Sequence, residues 1–160
     1  MIELICHLLG DYVIQSDWMA SEKTKRSLAA LAHAVTYTLP FLFLTRSWKA
    51  LAFIAVTHFI IDRWRLARYV CWAKNWLAPP RSVGPCDICD DPPKTKQDGP
   101  FQWWIGHNAM CKKRRNWAWK DCVATGYGPD KPPWLAVWLL IIADNTMHLI
   151  CNALALRHLG

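Results

Sequence analysis

Charged side chains are missing from long stretches of this 160-residue sequence. Only five of them occur within four otherwise apolar segments, and these are residues 2–16, 28–44, 48–62 and 134–156. The other charged residues lie between these segments, so the mean hydropathy of +0.04 averages two very different parts of the chain. Apolar runs of this kind exclude an ordinary soluble globule as the first expectation.

Several common sequence signals are also missing. The chain has only seven glycines, and it contains neither a glycine-rich phosphate loop nor a nucleophile elbow. The first basic residue is Lys23, which follows the first apolar segment, so no secretory signal is expected. With 53% apolar residues, the chain is not a disordered tail.

The four apolar segments predict an all-α fold, a multi-pass transmembrane bundle of about four helices. Residues 134–156 contain no Lys or Arg, and a helix of that length rises about 34 Å, enough to cross a bilayer core. Residues 28–44 and 48–62 are shorter and predict an antiparallel helical hairpin, kinked at Pro40. Residues 2–16 span only about 22 Å as a helix, so this segment either extends further or is re-entrant.

Basic residues near the predicted membrane ends are concentrated on one side of the bundle, and they are Lys23, Lys25, Arg26, Arg63, Arg65 and Arg68. The positive-inside rule makes this side cytoplasmic and places both termini outside. We therefore expect a multi-pass protein of the cytoplasmic (inner) membrane. Residues 1–62 and 134–160 form the predicted bundle, and residues 63–133 a cytoplasmic insertion. The net charge of +7 indicates an anionic neighbour such as lipid headgroups.

Ionisable side chains recur inside the apolar segments in a regular pattern. Three pairs are each separated by four residues, namely His7 and Asp11, His58 and Asp62, and Asp144 and His148. Residues at this spacing share one face of a helix. An ionisable group in a membrane segment costs several kcal/mol unless it finds a partner. A local hydrogen bond within each pair is one explanation, but it does not explain why the pair occurs three times.

A shared metal site is the interpretation that we favour for these pairs. Together with His33 they supply seven N and O donors, which we expect on the inward faces of one bundle, as in carboxylate-bridged di-metal proteins. Seven donors exceed the needs of one tetrahedral zinc and suit one or two divalent ions, with Zn, Mn, Fe or Mg favoured. His33 and Asp62 are the candidate catalytic groups, and His33 is either a seventh ligand or the proton carrier. Gln15 is a candidate for a supporting hydrogen bond.

The depth of the ligands sets a condition on the last helix. Asp144 and His148 lie about 15–21 Å along that helix from Trp134, whereas the other candidate ligands lie near the cytoplasmic ends of their segments. The last helix must therefore begin below the membrane surface, or tilt, for one site to form.

Four motifs in the apolar half of the chain carry a family resemblance. They are the opening HLLGDYVIQSDWMA from His7, then His33-Ala, His58-Phe-Ile-Ile-Asp62 and Asp144-Asn-Thr-Met-His148. These motifs resemble a family of small uncharacterised membrane proteins of bacteria and their phages. More distantly, the pattern resembles the membrane-bound metal-dependent hydrolases, and this resemblance implies a hydrolytic metal site without an established substrate. Residues 63–133 depart from the usual family member.

The insertion holds a second candidate metal site. Cys86 and Cys89 have the spacing of a zinc knuckle, and His107, Cys111 and Cys122 are the candidates to complete it. The second half is irregular in spacing, so structural zinc and plain reduced thiols both stay open. Disulfides are disfavoured because a cytoplasmic loop is kept reduced.

The remaining cysteines and the basic stretch of the insertion have simpler explanations. The other cysteines, which are Cys6, Cys71 and Cys151, are expected to pack against apolar neighbours. Lys112–Arg115 lies between tryptophans, a composition suited to anionic lipid headgroups with interfacial indoles or to nucleic acid. The membrane interpretation is the simpler one, and nucleic acid is disfavoured.

These observations predict a membrane-embedded metal-dependent hydrolase. The metal would activate water against a phosphoester or similar bond of a lipid-linked substrate. One alternative is a transport protein in which the same side chains conduct protons or metal ions. The other is a non-enzymatic phage or bacterial protein that interacts with a membrane complex through the basic Trp-rich insertion.

Overall fold

The computed structural model describes residues 2–77, 117–129 and 131–160, and this part of the chain contains helices and no strand. The α-helices are α1 (Ile2–Leu8), α2 (Asp17–Glu22), α3 (Ser27–Thr38), α4 (Trp48–Trp64), α5 (Leu66–Leu77) and α6 (Pro133–His158). The predicted all-α class is confirmed.

The opening apolar segment is not one regular α-helix. After α1 the chain widens into a π-helical stretch, Leu9–Ile14, and then turns into α2, where the Ser16 side chain accepts a hydrogen bond from the Met19 backbone N–H. Single π-helical turns are rare and occur frequently at functional sites. Asp11, one of the predicted ligands, lies within this stretch.

Helices α3 and α4 pack against each other as the predicted hairpin. Helix α3 ends at Thr38 and continues as a 3₁₀ turn, Leu39–Phe43, because Pro40 has no N–H for an α-helical hydrogen bond. The core beneath the hairpin contains side chains from four parts of the chain, and its buried members are Cys6, Tyr37, Phe41, Ala50, Ile54 and Ala155.

The first part of the predicted insertion is helical. Helix α4 ends at Trp64, Arg65 follows with a left-handed backbone at φ of 50°, and α5 begins at Leu66. The first half of α6 packs against α5 in a small core of Cys71, Tyr127 and Ala136, while α6 also packs against α4. Helix α6 therefore extends past the hairpin alongside α5, which brings its middle level with the end of α4.

Residues 117–129 also pack against α5. The indole N–H of Trp72 donates to the Trp117 carbonyl at 3.1 Å, and the rings of Tyr69 and Trp119 stack with centroids 4.5 Å apart. Gly126 has φ of 80°, and a Cβ there would lie 2.1 Å from the Arg68 carbonyl oxygen. Only glycine fits this close approach.

Among the described residues, α6 is the one helix long and apolar enough to cross a membrane. Its surface carries many exposed apolar side chains, including Trp134, Val137, Trp138, Ile142, Ile150 and Leu154. The multi-pass arrangement, the membrane and the orientation stay predictions, since no other described helix meets both conditions.

Part of the predicted insertion cannot be compared with the structure. The candidate zinc ligands Cys86, Cys89, His107 and Cys111 and the basic stretch 112–115 lie outside the described residues. Cys122 is described and half-buried, and Cys71 is buried in the α5 and α6 core as expected for a packing cysteine.

Replacing Gly10 by alanine should destabilise the bundle. A Cβ at Gly10 would lie 2.5 Å from Tyr37 Cδ2 and 3.1 Å from the Tyr37 carbonyl oxygen, so the π-helical stretch must move away from α3. We expect Gly10→Ala to lower the free energy of unfolding by about 1–3 kcal/mol. Denaturant unfolding in detergent, followed by circular dichroism, measures this.

The control for Gly10 is Val13→Ala in the same stretch, because the Val13 side chain is 71% exposed. It should change stability by less than about 0.5 kcal/mol. Equal effects of the two substitutions would show that the approach to Tyr37 does not limit packing.

Candidate metal centre

Five buried or nearly buried donors converge from four elements of the fold. Asp11 comes from the π-helical stretch, His33 from α3, His58 and Asp62 from successive turns of α4, and His148 from α6. The three histidines are at most 1% exposed and Asp62 is 5% exposed. The helices thus enclose a group of polar side chains at one level of an otherwise apolar bundle.

Two imidazoles and two carboxylates form the middle of this cluster. The Nε2 atoms of His33 and His58 lie 3.0 Å apart. Asp11 Oδ1 lies 3.2 Å from the first and 3.4 Å from the second. Asp62 Oδ2 lies 3.3 Å and 3.2 Å from the same two atoms. Both carboxylates therefore point one oxygen at the same pair of nitrogens.

The second oxygen of each carboxylate lies beside an outer histidine. Asp62 Oδ1 is 3.4 Å from His148 Nε2, which is itself 3.5 Å from Asp144 Oδ2. Asp11 Oδ2 is 3.5 Å from His7 Nδ1. All seven predicted ligands are thus brought into one connected cluster, although His7 and Asp144 lie at its edge.

His7 is held by neutral side chains. Its Nδ1 lies 2.8 Å from the Tyr37 hydroxyl, and its Nε2 lies 3.2 Å from Asn145 Oδ1. The Tyr37 hydroxyl also accepts a 2.6 Å hydrogen bond from Asn152 Nδ2. Because both ring nitrogens of His7 have partners, this residue is better placed to orient Asp11 than to bind an ion itself.

Tyr37 also fixes the orientation of His58. The two rings stack with centroids 3.7 Å apart and an angle of 19° between their planes. The His58 ring lies 4.1 Å from that of His148, centroid to centroid. The stacking holds His58 Nε2 toward the carboxylates.

Two sets of three donors have the geometry to bind a metal ion within the described residues. They are Asp11, His33 and His58, and His58, Asp62 and His148, with the donor atoms of each set within 4.8 Å of one another. His148 Nε2 is buried, 3.4 Å from Asp62 Oδ1 and 3.5 Å from Asp144 Oδ2, and makes no well-formed hydrogen bond in the described part of the chain. A buried imidazole nitrogen beside two carboxylates fits a cation-binding site.

A lysine reaches into this cluster. Lys23, in the turn after α2, places its Nζ 2.9 Å from Asp62 Oδ2 and 3.4 Å from His33 Nε2. It also donates to Gln15 Oε1 at 3.3 Å. The predicted supporting residue Gln15 therefore holds Lys23 and contacts the carboxylates only through it.

A cavity of about 300 Å³ adjoins the cluster. Its wall contains the predicted ligands Asp11, Asp62 and Asp144, the cationic side chains of Lys23 and Arg65, and apolar residues of α5 and α6. The cluster is thus accessible to a small molecule from one side, and Asp144, with its side chain 30% exposed, is its most open carboxylate.

Sequence analysis missed three groups of this site. Lys23 was counted only as a charge outside the apolar segments, and Tyr37 and Asn152 were not considered. The sequence offers a weak signal for Tyr37 and Asn152, since a hydroxyl and an amide inside apolar helices need hydrogen-bond partners. It offers no signal for Lys23, because the contact of this side chain with the cluster depends on the turn between α2 and α3.

In the comparison with known proteins, a family model matches slightly less than half of the chain. Residues 1–78 match a family described as a protein of unknown function (DUF3307). No curated protein and no solved structure matches. The predicted resemblance to an uncharacterised family is confirmed over these residues, and the resemblance to metal-dependent hydrolases stays a prediction. The matched part includes His7, Asp11, His33, His58 and Asp62.

Removing the Tyr37 hydroxyl should destabilise the protein, because two buried side chains lose a hydrogen-bond partner. Tyr37→Phe leaves His7 Nδ1 and Asn152 Nδ2 buried without this partner. We expect a loss of about 1–3 kcal/mol in the free energy of unfolding. Tyr12→Phe is the matched control, since Tyr12 is 57% exposed and its hydroxyl contacts only Asn145. A control that loses as much stability as Tyr37→Phe would contradict this role.

Proposed function

We propose that this protein is a membrane-embedded hydrolase that depends on a divalent metal ion bound by the buried His and Asp cluster. The observation that carries the proposal is that Asp11 and Asp62 each place a carboxylate oxygen beside the same two nitrogens, His33 Nε2 and His58 Nε2. A hydrolase also needs substrate access, and the cavity beside the cluster supplies it.

The spacing of the four donors fits a coordinated ion. Metal bonds of about 2.0–2.1 Å place neighbouring ligand atoms roughly 2.9–3.4 Å apart. The distances from the two imidazole nitrogens to each other and to both carboxylate oxygens run from 3.0 to 3.4 Å. Two neutral nitrogens and two carboxylate oxygens are also donors suited to Zn, Mn or Fe.

The geometry favours one ion over two. Both three-donor sets include His58, and its single inward nitrogen can coordinate one ion at a time. We therefore assign Asp11, His33, His58 and Asp62 as the ligands, which makes His33 a ligand in preference to a proton carrier. His148 and His7, each beside the second oxygen of one carboxylate, then orient those ligands.

The chain's own residues account for the remaining needs of hydrolysis. A bound ion supplies Lewis-acid activation of water and of the bond to be cleaved. Asp144 lines the cavity and lies next to His148, so this pair can hold and return a proton at the edge of the site. Tyr37 keeps His58 oriented, and the apolar bundle limits the entry of bulk water.

The proposed setting is a multi-pass membrane protein of the inner membrane with residues 63–133 on the cytoplasmic side. The long apolar α6 and the exposed apolar side chains of α3 and α4, which include Leu28, Leu31, Val35, Phe53 and Val56, support it. Apolar surface on this scale is unusual for a soluble monomer. The substrate would then be a lipid-linked molecule that reaches the cavity from the membrane surface.

One observation favours a second candidate, a proton or ion relay. Lys23 Nζ forms a close ion pair with Asp62 at the point where the ligands converge. Buried chains of acidic, basic and imidazole groups also conduct protons in transporters. A proton relay needs no metal, so metal content separates it from the hydrolase, and flux across vesicles without hydrolysis would favour transport of either protons or metal ions.

Metal analysis of the purified full-length chain tests the proposed site. We expect about one divalent ion per chain after reconstitution, and its loss in the double variant His58→Ala with Asp62→Ala. Hydrolysis of a phosphoester by the metal-loaded wild type should disappear in the same variant. The measurements are elemental analysis by mass spectrometry and product release.

The matched control is the double variant His158→Ala with Asp17→Ala, which removes the same residue types from exposed positions. It should keep the metal. If the cluster variant fails to fold, the near-isosteric Asp62→Asn serves instead, with circular dichroism as the check. A wild type without metal, or a folded cluster variant that retains it, would overturn the proposal.

A charge on the outer face of α6 tests the membrane setting. Ile150 is 55% exposed and lies two residues beyond His148. If this face contacts lipid, Ile150→Arg should hinder insertion by about 2.5–3.5 kcal/mol, whereas Ile150→Phe should not. The readout is the fraction of protein retained in membranes after alkaline extraction. Unchanged retention, or better solubility without detergent, would count against a spanning α6.

A further inference from the structure

We propose that Lys23 and Arg65 form an anion subsite in the cavity beside the metal centre, and that it holds the phosphate group of a phosphate ester. This inference rests on the proposed hydrolase function and names its substrate class. It is based on two cationic side chains and three carboxylates that line the same cavity of about 300 Å³.

The Arg65 side chain is available to a ligand. Its neighbours in the sequence have structural partners: Arg63 donates to the Thr24 carbonyl at 2.8 Å, and Arg68 to the Tyr69 hydroxyl at 2.7 Å. The Arg65 side chain has no hydrogen bond or ion pair within residues 2–77, 117–129 and 131–160, and it lines the cavity. A guanidinium in a cavity wall presents a fork of N–H donors that matches phosphate oxygens.

The backbone of Arg65 ends α4. It is the one non-glycine residue with positive φ among the described residues, at φ 50° and ψ 51°. A left-handed residue is a common helix ending, and the Arg65 N–H donates back to the Asp62 carbonyl at 3.2 Å. The break between α4 and α5 thus occurs at the residue that lines the cavity.

Lys23 supplies the second cation. Its Nζ lies 2.9 Å from Asp62 Oδ2 and its side chain is 19% exposed, so it reaches both the metal ligands and the cavity. A divalent ion among the carboxylates would replace Lys23 as the partner of Asp62 and repel its ammonium group. Lys23 would then turn into the cavity, toward the anion.

The charge of the cavity wall makes anion binding depend on the metal. Three carboxylates, Asp11, Asp62 and Asp144, line the cavity together with the two cations. One divalent ion bound among the carboxylates would offset two of their negative charges. Phosphate should therefore bind the loaded protein much more tightly than the metal-free protein.

The apolar part of the wall suggests what the phosphate is attached to. Leu140 and Ile141 of α6 line the same cavity, and Ile142, the next residue, is 58% exposed. A substrate with an apolar chain could place its phosphate between Lys23 and Arg65 and its chain along α6. A lipid phosphate and a free phosphate share the headgroup chemistry, and the experiment separates them.

The test is calorimetric titration of the detergent-purified full chain, with and without bound metal. Inorganic phosphate is one probe, and dihexanoyl phosphatidic acid is the other. Dihexanoyl phosphatidylcholine serves as a control because its phosphate is blocked by the choline group.

We expect Lys23→Met and Arg65→Met each to weaken phosphate binding about tenfold or more, since each removes a charge-assisted hydrogen bond. Tighter binding of phosphatidic acid than of phosphate indicates the lipid source, and equal binding indicates the free phosphate.

Matched controls and a second readout keep the inference separate from the proposed function. Lys25→Met and Arg157→Met remove the same charges from exposed positions and should leave phosphate affinity unchanged. Arg65→Lys keeps the positive charge and should restore part of the affinity, which would show that the loss in Arg65→Met is not caused by misfolding. Metal occupancy, measured in the same samples, should stay the same in Arg65→Met and rise in Lys23→Met, which loses a competing cation.

Phosphate affinity that depends on Lys23 and Arg65 supports the subsite whether or not metal is present. Wild-type protein that binds neither probe in either state, or variants that bind as tightly as wild type, would overturn it. A protein that binds phosphate at this subsite but never binds metal would instead sink the hydrolase proposal alone.

Discussion

Asp11 and Asp62 are carboxylates enclosed by an apolar helical bundle, and the rest of the structure depends on how their charge is compensated. A buried carboxylate costs several kcal/mol unless a cation or several hydrogen bonds replace its water. Asp62 has Lys23 within 2.9 Å, and histidines surround both carboxylates at 3.2–3.5 Å. The four histidines, the turn that carries Lys23 and the cavity beside it are all arranged around this requirement.

The scaffold holds these groups through tight packing of small and aromatic residues. Gly10 lets the π-helical stretch approach Tyr37, and Tyr37 in turn stacks on His58 and hydrogen-bonds His7 and Asn152. One tyrosine therefore connects the opening segment, the hairpin and α6 directly beside the His and Asp cluster. A ring fixed on three sides leaves His58 little freedom to turn away, which is how a binding site is kept in place without a ligand.

Most residues of the cluster can be predicted from the sequence, because the spacing that places His and Asp on one helix face is a local property of the chain. His and Asp four residues apart share a helix face, and three such faces with His33 meet in the structure as expected. The groups that depend on non-local geometry could not be predicted. Lys23 reaches Asp62 only because the chain turns between α2 and α3. The helical start of the insertion was missed although a signal was present, since Leu66–Leu77 is amphipathic at helical spacing. The π-helical register at Asp11 has no signature in the hydrophobic pattern.

The position of Lys23 is what separates the candidate functions physically. One ammonium group and one divalent ion cannot both occupy the space between Asp62 Oδ2 and His33 Nε2, since Nζ already lies 2.9 and 3.4 Å from these atoms. If the lysine is the permanent partner of Asp62, the cluster is a chain of proton-binding groups. If a metal ion takes that place, the lysine is released toward the cavity, where Arg65 already lies without a protein partner among the described residues. A released lysine beside an unpartnered arginine has a use in a site that binds an anion and none in a relay, so the presence of Arg65 in the cavity wall favours the hydrolase.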